Sequence, residues 1–314
     1  GEPTPATTRA SSESETSLRR AYYSVYLYDH RRCGPKLTAT TRCGVHRYTF
    51  PERNESRILI DLLFPTEWDY GFRVRDARIA RVSDTELEGY ADCQSGPWSW
   101  WNEYRLHFVI RFSRPFRRLD GWNEGRIEEN IREITGKGDT GAYALFTTTE
   151  GERITVCTWL SLVSIDQARL NMQTELGPLG YDFDRTARAT REQWNELLGR
   201  VEVTGGSERD RVKFYTNLYR AYAGKQTWND VDGSYVDARS MSAASSGATC
   251  TEATLLEHLL EPQRAVVDPF AAHRGRLGNH AGSRCSATRD GPARDPPGWS
   301  IRASWRVRTR RRCS

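Results

Sequence analysis

Asp230-Val231-Asp232-Gly233 sets two carboxylates two residues apart, ahead of a glycine. Oxygen donors of this kind suit a hard cation such as calcium. The same spacing also opens an Asx-type turn at the start of a helical region, so both readings stand for Asp230 and Asp232. Trp98, Trp100 and Trp101 follow Gly96-Pro97 in a loop-like stretch. Aromatic faces at a loop tip grip sugars by stacking, and the same residues can pack between two domains. Glu67-Trp68-Asp69, after Pro65, offers carboxylates beside an aromatic ring or a solvated turn. His46 and His107 alternate with apolar neighbours on predicted strands and read as structural partners rather than ligands. The seven cysteines include no C-x-x-C pair and no adjoining histidine cluster, which argues against zinc. A Cys33–Cys43 disulfide is one pairing that spacing alone does not fix. The sequon Asn54-Glu55-Ser56 falls in a predicted turn and has meaning only in a eukaryotic secretory route.

The elements that must position these residues change character along the chain. Gly1–Leu18 is rich in Thr, Ser, Pro and Glu and reads as a loop. Tyr22–Tyr28, Lys36–Arg42, Val45–Phe50, Arg57–Leu63, Phe72–Val82, Tyr104–Phe112, Ala142–Thr148 and Arg153–Leu160 are rich in β-branched and aromatic residues and predict strands. Within one of them Leu106, Phe108, Ile110 and Phe112 alternate with Arg105, His107, Val109 and Arg111, giving a buried and a wetter face. Short strands without intervening helices imply an antiparallel β-sandwich rather than a parallel sheet. Helical periods follow. Ser164 with Gln167 forms a capping box ahead of a stripe of Ile165, Ala168, Leu170 and Met172. A second helix, Asp184–Leu198, turns Trp194, Leu197 and Leu198 inward and ends at Gly199. Val201–Val203 is extended. A third helix from Ser207 buries Val212, Phe214, Tyr215, Leu218 and Tyr219. The fold class is therefore mainly β: a sandwich, then linking helices.

Composition breaks near Arg239. Ser240–Ser314 holds 12 Arg, no Lys and 6 acidic residues, a net charge of +6. The whole chain carries +5, which leaves −1 for Gly1–Arg239. The basic balance thus belongs to the tail and says nothing about the partners of the folded part. Only 13 of those 75 residues are large apolar or aromatic types, too few to offset the entropy of ordering. No run of roughly 18 apolar residues exists to form a membrane-crossing helix, and no signal peptide is visible.

Three ordered blocks carry a family resemblance: LTATTRCGVHRYTFP at Leu37–Pro51; VSIDQARLN at Val163–Asn171 with DFD at Asp182–Asp184 and WNELLGRVEV at Trp194–Val203; and KFYTNLY at Lys213–Tyr219 with DVDGSY at Asp230–Tyr235. Their order and spacing over Tyr22–Asp237 resemble glycoside hydrolase family 92, the calcium-dependent exo-acting α-mannosidases. The resemblance implies a β-sandwich domain (19–162, after a lead at 1–18), linking helices and the start of an (α/α)6 barrel (163–238). It implies an inverting mechanism in which a Glu protonates the leaving oxygen, an Asp activates water, and calcium helps distort the mannose ring. Inversion needs the two carboxyls about 6.5–9.5 Å apart. Both are expected in the barrel beyond DVDG, so no catalytic residue is assigned in this chain.

After DVDG the family pattern is similar to FWNTYWNLNGLW, which this sequence lacks. Read one nucleotide later, the degenerate codons of Leu255–Val267 permit that whole block. Residues 239–314 are therefore expected to be an out-of-frame, disordered tail. The chain is expected to be an inactive N-terminal fragment of a secreted or periplasmic α-mannosidase, with α-mannosides as partners. No nucleic-acid or membrane partner is expected, and oligomeric state is open. Two alternatives are a non-catalytic carbohydrate-binding sandwich using Trp98, Trp100 and Trp101, and nucleic-acid binding through Arg306–Arg312. The second ranks last, because no aromatic residues interleave with those arginines as stacking platforms.

Overall fold

The computed structural model describes residues 17–19, 21–25, 34–63, 72–94, 103–223, 226–227, 229–236, 243–245 and 251–252. The strands come first: β1 (Ser17–Arg19), β2 (Tyr22–Ser24), β3 (Lys36–Ala39), β4 (Cys43–Phe50), β5 (Arg53–Asp61), β6 (Arg73–Ser83), β7 (Glu86–Gln94), β8 (Glu103–Phe112), β9 (Arg118–Asn123), β10 (Arg126–Glu128), β11 (Glu133–Gly136), β12 (Thr140–Thr148) and β13 (Glu152–Ser161). They build a nine-stranded sheet, β1-β2-β3-β4-β13-β8-β7-β6-β11, and a four-stranded sheet, β10-β9-β12-β5. All their pairings are antiparallel.

Alternation decides which sheet face is dry. Tyr48 and Phe50 of β4, Phe108, Ile110 and Phe112 of β8, and Ile154 and Val156 of β13 point to one face. Across the gap they meet Ile58 and Ile60 of β5, Leu119 of β9, and Ala142, Ala144 and Phe146 of β12. Phe146 and Phe116 sit at ring-centre distances of 5.7 Å from Phe112, in tilted and edge-on arrangements that aromatic rings favour. This is the core of a two-sheet sandwich.

The opposite face of the large sheet is also covered. α1 (Ile165–Glu175) and α2 (Phe183–Leu198) lie against it. Their Ala168, Met172, Leu176 and Phe183 pack on Cys43, Val45, Val109, Cys157 and Trp159. The expected wetter face of β8 is therefore dry at Val109, because two helices cover what alternation alone assigns to water. Ser164 caps α1 by accepting from Gln167 N at 3.1 Å. The return half of the expected capping box is missing, since the Gln167 side chain goes to Asp232 instead. Asp182 caps α2 through Arg185 N, and Gly199 ends it. Leu198 is buried, while Trp194 and Leu197 are half-buried.

Several expectations are corrected. β7, β9, β10 and β11 escape the sequence reading; Gly89, Gly121 and charged residues dilute their pattern. Residues 201–203 form no strand. The sequon sits on β5 rather than in a turn, with Ser56 buried and hydrogen-bonded to Thr148 at 2.7 Å. Cys43 is a buried free thiol, as are Cys93 and Cys157, so a Cys33–Cys43 disulfide does not form. α3 (Glu208–Ala223) exists and is capped reciprocally by Ser207 and Asp210. It buries none of its residues, however, and Val212 is 59% exposed. Its holds include the Trp194–Tyr219 ring contact and the Tyr215 hydroxyl on the Val201 carbonyl. Two short strands fall inside the stretch expected to lack structure. β16 (Ala243–Ser245) pairs with β15 (Ser234–Val236), and β17 (Thr251–Glu252) pairs with β14 (Gln226–Thr227).

Candidate functional site

Several described strand ends meet at one end of the sandwich. β13 ends at Ser161, which pairs with His107 near the start of β8. β8 begins at Glu103, opposite Gln94 at the end of β7, and Gln94 lies opposite Arg73 at the start of β6. The strand ends flanking 64–71 and 95–102 therefore share the end that carries Ser161. Trp98, Trp100, Trp101 and Glu67-Trp68-Asp69 themselves lie outside the described residues, as does Arg306–Arg312.

Asp230 and Asp232 are described, and their surroundings are specific. Asp230 is 5% exposed. Its Oδ1 accepts from Asn171 Nδ2 at 2.6 Å, and its Oδ2 accepts from Ser161 Oγ at 2.7 Å. Asn171 Oδ1 in turn accepts from Val231 N at 2.9 Å. Burial pushes the Asp230 carboxyl above the usual carboxylate range, while the Asn171 and Ser161 bonds pull it down. Asp232 is exposed; it accepts from Ser234 N at 2.9 Å and from Gln167 Nε2 at 2.8 Å. The Ser234 amide holds its carboxyl below the usual range. Gly233 adopts φ +88°, which suits glycine, and its N–H closes the turn on the Asp230 carbonyl at 3.0 Å. Asp232 Oδ1 and Ser234 N close an Asx-type turn, but strand β15 (Ser234–Val236) follows it rather than the expected helix.

A second tie runs alongside. Arg42, between β3 and β4, bonds Glu175 of α1 at 2.7 Å and the Asn229 carbonyl at 2.7 Å. Glu175 also accepts from the Thr40 hydroxyl and from Arg42 N. Arg42, Ser161, Asn171 and Glu175 are not in the sequence-level candidate set. One local sign of Asn171 was legible: it is a polar residue beside Ala168 and Met172 on the buried stripe of α1.

The donor set does not fit calcium. Both Asp230 oxygens are engaged by neutral donors, and calcium takes six to eight oxygens. Among the described residues no three His, Cys, Asp or Glu side chains come together in a group that could hold a metal ion.

The β-sandwich thus carries α1 and α2 on its outer face, and buried polar groups tie the turn at 229–234 to the end of β13 and to α1. The Glycosyl hydrolase family 92 N-terminal domain matches residues 2–161, and the Glycosyl hydrolase family 92 catalytic domain matches residues 167–264. The chain belongs to glycosyl hydrolase family 92. Among solved structures it is similar to the family GH92 alpha-mannosidase BT3965 from Bacteroides thetaiotaomicron, with 25% identity and a TM-score of 0.65 over 76% of this chain and 32% of that one. The same protein in complex with mannoimidazole gives 25% identity and a TM-score of 0.66 over 76% and 31% of the two chains. The gh92 family glycosyl hydrolase ccman5 gives 26% identity and a TM-score of 0.65 over 77% and 33%. The chain thus spans about a third of the length of these structures. No curated protein matches it.

Proposed function

We propose that this chain is the β domain and opening segment of an α-mannosidase that removes terminal α-mannose from mannan or N-glycans with inversion. The 314 residues taken alone are inactive in this reading. The ordered matches to the two family 92 domains carry it. An alpha-mannosidase among the similar structures, also solved with mannoimidazole, supports the substrate class. Trp98, Trp100 and Trp101 are proposed to touch the sugar, and calcium dependence through ligands other than Asp230 and Asp232, with an extracytoplasmic site of action, belongs to the same proposal. The residues after about Arg239 are read as out of frame. The catalytic-domain match runs on to residue 264, so the codons from 239 to 267 are the ones to sequence.

The purified chain is expected to release no mannose from α-linked mannobiose or mannan, with calcium or with EDTA. Calcium-dependent turnover overturns the inactivity. A gene restored to the shifted frame is expected to encode a protein that liberates β-mannose first, observed by NMR. α-Mannose as the first product overturns inversion, and codons at Leu255–Val267 unable to encode FWNTYWNLNGLW overturn the frame reading.

A further inference from the structure

Proton positions around Asp230 follow from its neighbours. Val163 N and Ser164 N both donate to Ser161 Oγ, at 2.9 and 3.4 Å. The Ser161 hydroxyl hydrogen is therefore free to go to Asp230 Oδ2. Val231 N donates to Asn171 Oδ1, so the Asn171 amide nitrogen faces Asp230 Oδ1 and also reaches the Leu160 carbonyl at 3.1 Å. Asp230 thus accepts at both oxygens, from the last strand of the sandwich and from the helix that follows it. Every group in this ring has its partner, and the Ser161–Asp230, Asn171–Asp230 and Val231–Asn171 bonds join the turn at 229–234 to β13 and α1.

We propose that Asp230 is a positioning residue, an anionic latch through which Ser161 and Asn171 set the opening turn of the catalytic domain on the β domain. This rests on reading the segment from residue 167 through the turn at 229–234 as the start of that domain. The β domain then serves as the jig for the catalytic domain's first turn, and Arg42, bonded to Glu175 and to the Asn229 carbonyl, holds the same turn. Asp232 is exposed and adds a weaker, solvent-accessible tie to α1 through Gln167.

Amide hydrogen exchange on the 314-residue chain tests this without any assay of activity. Asp230→Asn places an NH2 against either Ser161 Oγ, already an acceptor of two amides, or Asn171 Nδ2. Exchange at 229–236 is expected to rise about tenfold, with β12 amides unchanged. Asn171→Asp alone sets two carboxylates together and is expected to do at least the same. The pair Asn171→Asp with Asp230→Asn reverses donor and acceptor and keeps the Val231 and Ser161 bonds, losing only the bond to the Leu160 carbonyl, and is expected to bring exchange well below that of either single variant. No change in Asp230→Asn, or a pair that exchanges as fast as the single variants, overturns the latch. If Asp230→Asn also loosens β12, Ser161→Ala decides: faster exchange at 229–236 alone supports the latch, and unchanged exchange there sinks it. Failure of the mannosidase reading leaves these exchange outcomes standing, and the reverse also holds.

Discussion

Arg47 on β4 lays its guanidinium 4.4 Å from the ring centre of Phe183, the first residue of α2, and grips Asp184 beside it with two hydrogen bonds of 2.7 and 3.0 Å. One side chain thus fastens α2 to the outer face of the large sheet by stacking and by charge. Phe183→Ala is expected to destabilise by about 3–5 kcal/mol, as a buried aromatic truncation does. Arg47→Ala is expected to cost only about 1 kcal/mol, because Asp184 is largely exposed and water screens the pair. Urea unfolding of the two variants checks the order; an Arg47→Ala loss as large as that of Phe183→Ala contradicts it. The Arg47 bond holds the Asp184 carboxyl below the usual range. Its small contribution is present above the ordinary carboxylate pKa and fades as pH falls through the lowered one.

His46 predicts a separate acid sensitivity. It lies buried in the sandwich, its Nδ1 3.0 Å from the Tyr48 hydroxyl, and burial lowers its pKa from 6.5 to about 4. The unfolded chain therefore takes up this proton first as pH drops. Stability is expected to decline between pH 6.5 and 4 by an amount on the order of 3 kcal/mol from this group. His46→Gln should flatten the stability profile across that window. An unchanged profile assigns the acid sensitivity to other groups.

Gly89 is a packing requirement in β7. A Cβ there would stand 2.0 Å from the Arg78 carbonyl oxygen and 2.6 Å from the Phe108 ring. Gly89→Ala is expected to destabilise by at least about 1–3 kcal/mol, since backbone and a core aromatic must both move. Thermal unfolding reads the effect. A variant as stable as the parent would mean that the β6–β7 pair yields easily.

The described cysteines should be chemically silent. Burial pushes Cys157 to about 12 and Cys93 to about 11, and Cys43 well above both. With the thiolate scarce and access closed, maleimide at pH 8 should leave these three unmodified in the folded chain and label them in denaturant. Peptide mapping after a brief exposure decides; rapid native labelling of Cys43 or Cys157 would mean that α1 and α2 lift readily from the sheet.

The sandwich was legible where β-branched and aromatic residues concentrate, as in β4, β8, β12 and β13. It was obscured in β7 and β9, where Gly89 and Gly121 leave room for Phe108 and for Ile131 and Ile134. A missing side chain is invisible to a periodicity count. Helices α1 and α2 were legible from caps and stripes, yet what they cover was not: Val109 and Trp159 gain their burial from residues far along the chain. Asp230 was singled out on spacing, but its role as an acceptor depends on Ser161 and Asn171, 69 and 59 positions away. No local pattern in the sequence carries that pairing.

α3 leaves Val212 and Phe214 exposed, and Val212 lines an open groove of about 520 Å³ together with Val203, Tyr215 and Tyr219. During synthesis the sandwich, α1 and α2 leave the ribosome before this helix and can close on one another at once. α3 emerges with an apolar stripe and no finished surface to meet. That interval is when a nascent chain offers itself to chaperones or to other copies of itself, so the order of translation makes α3 the most sticky stage in the birth of this protein.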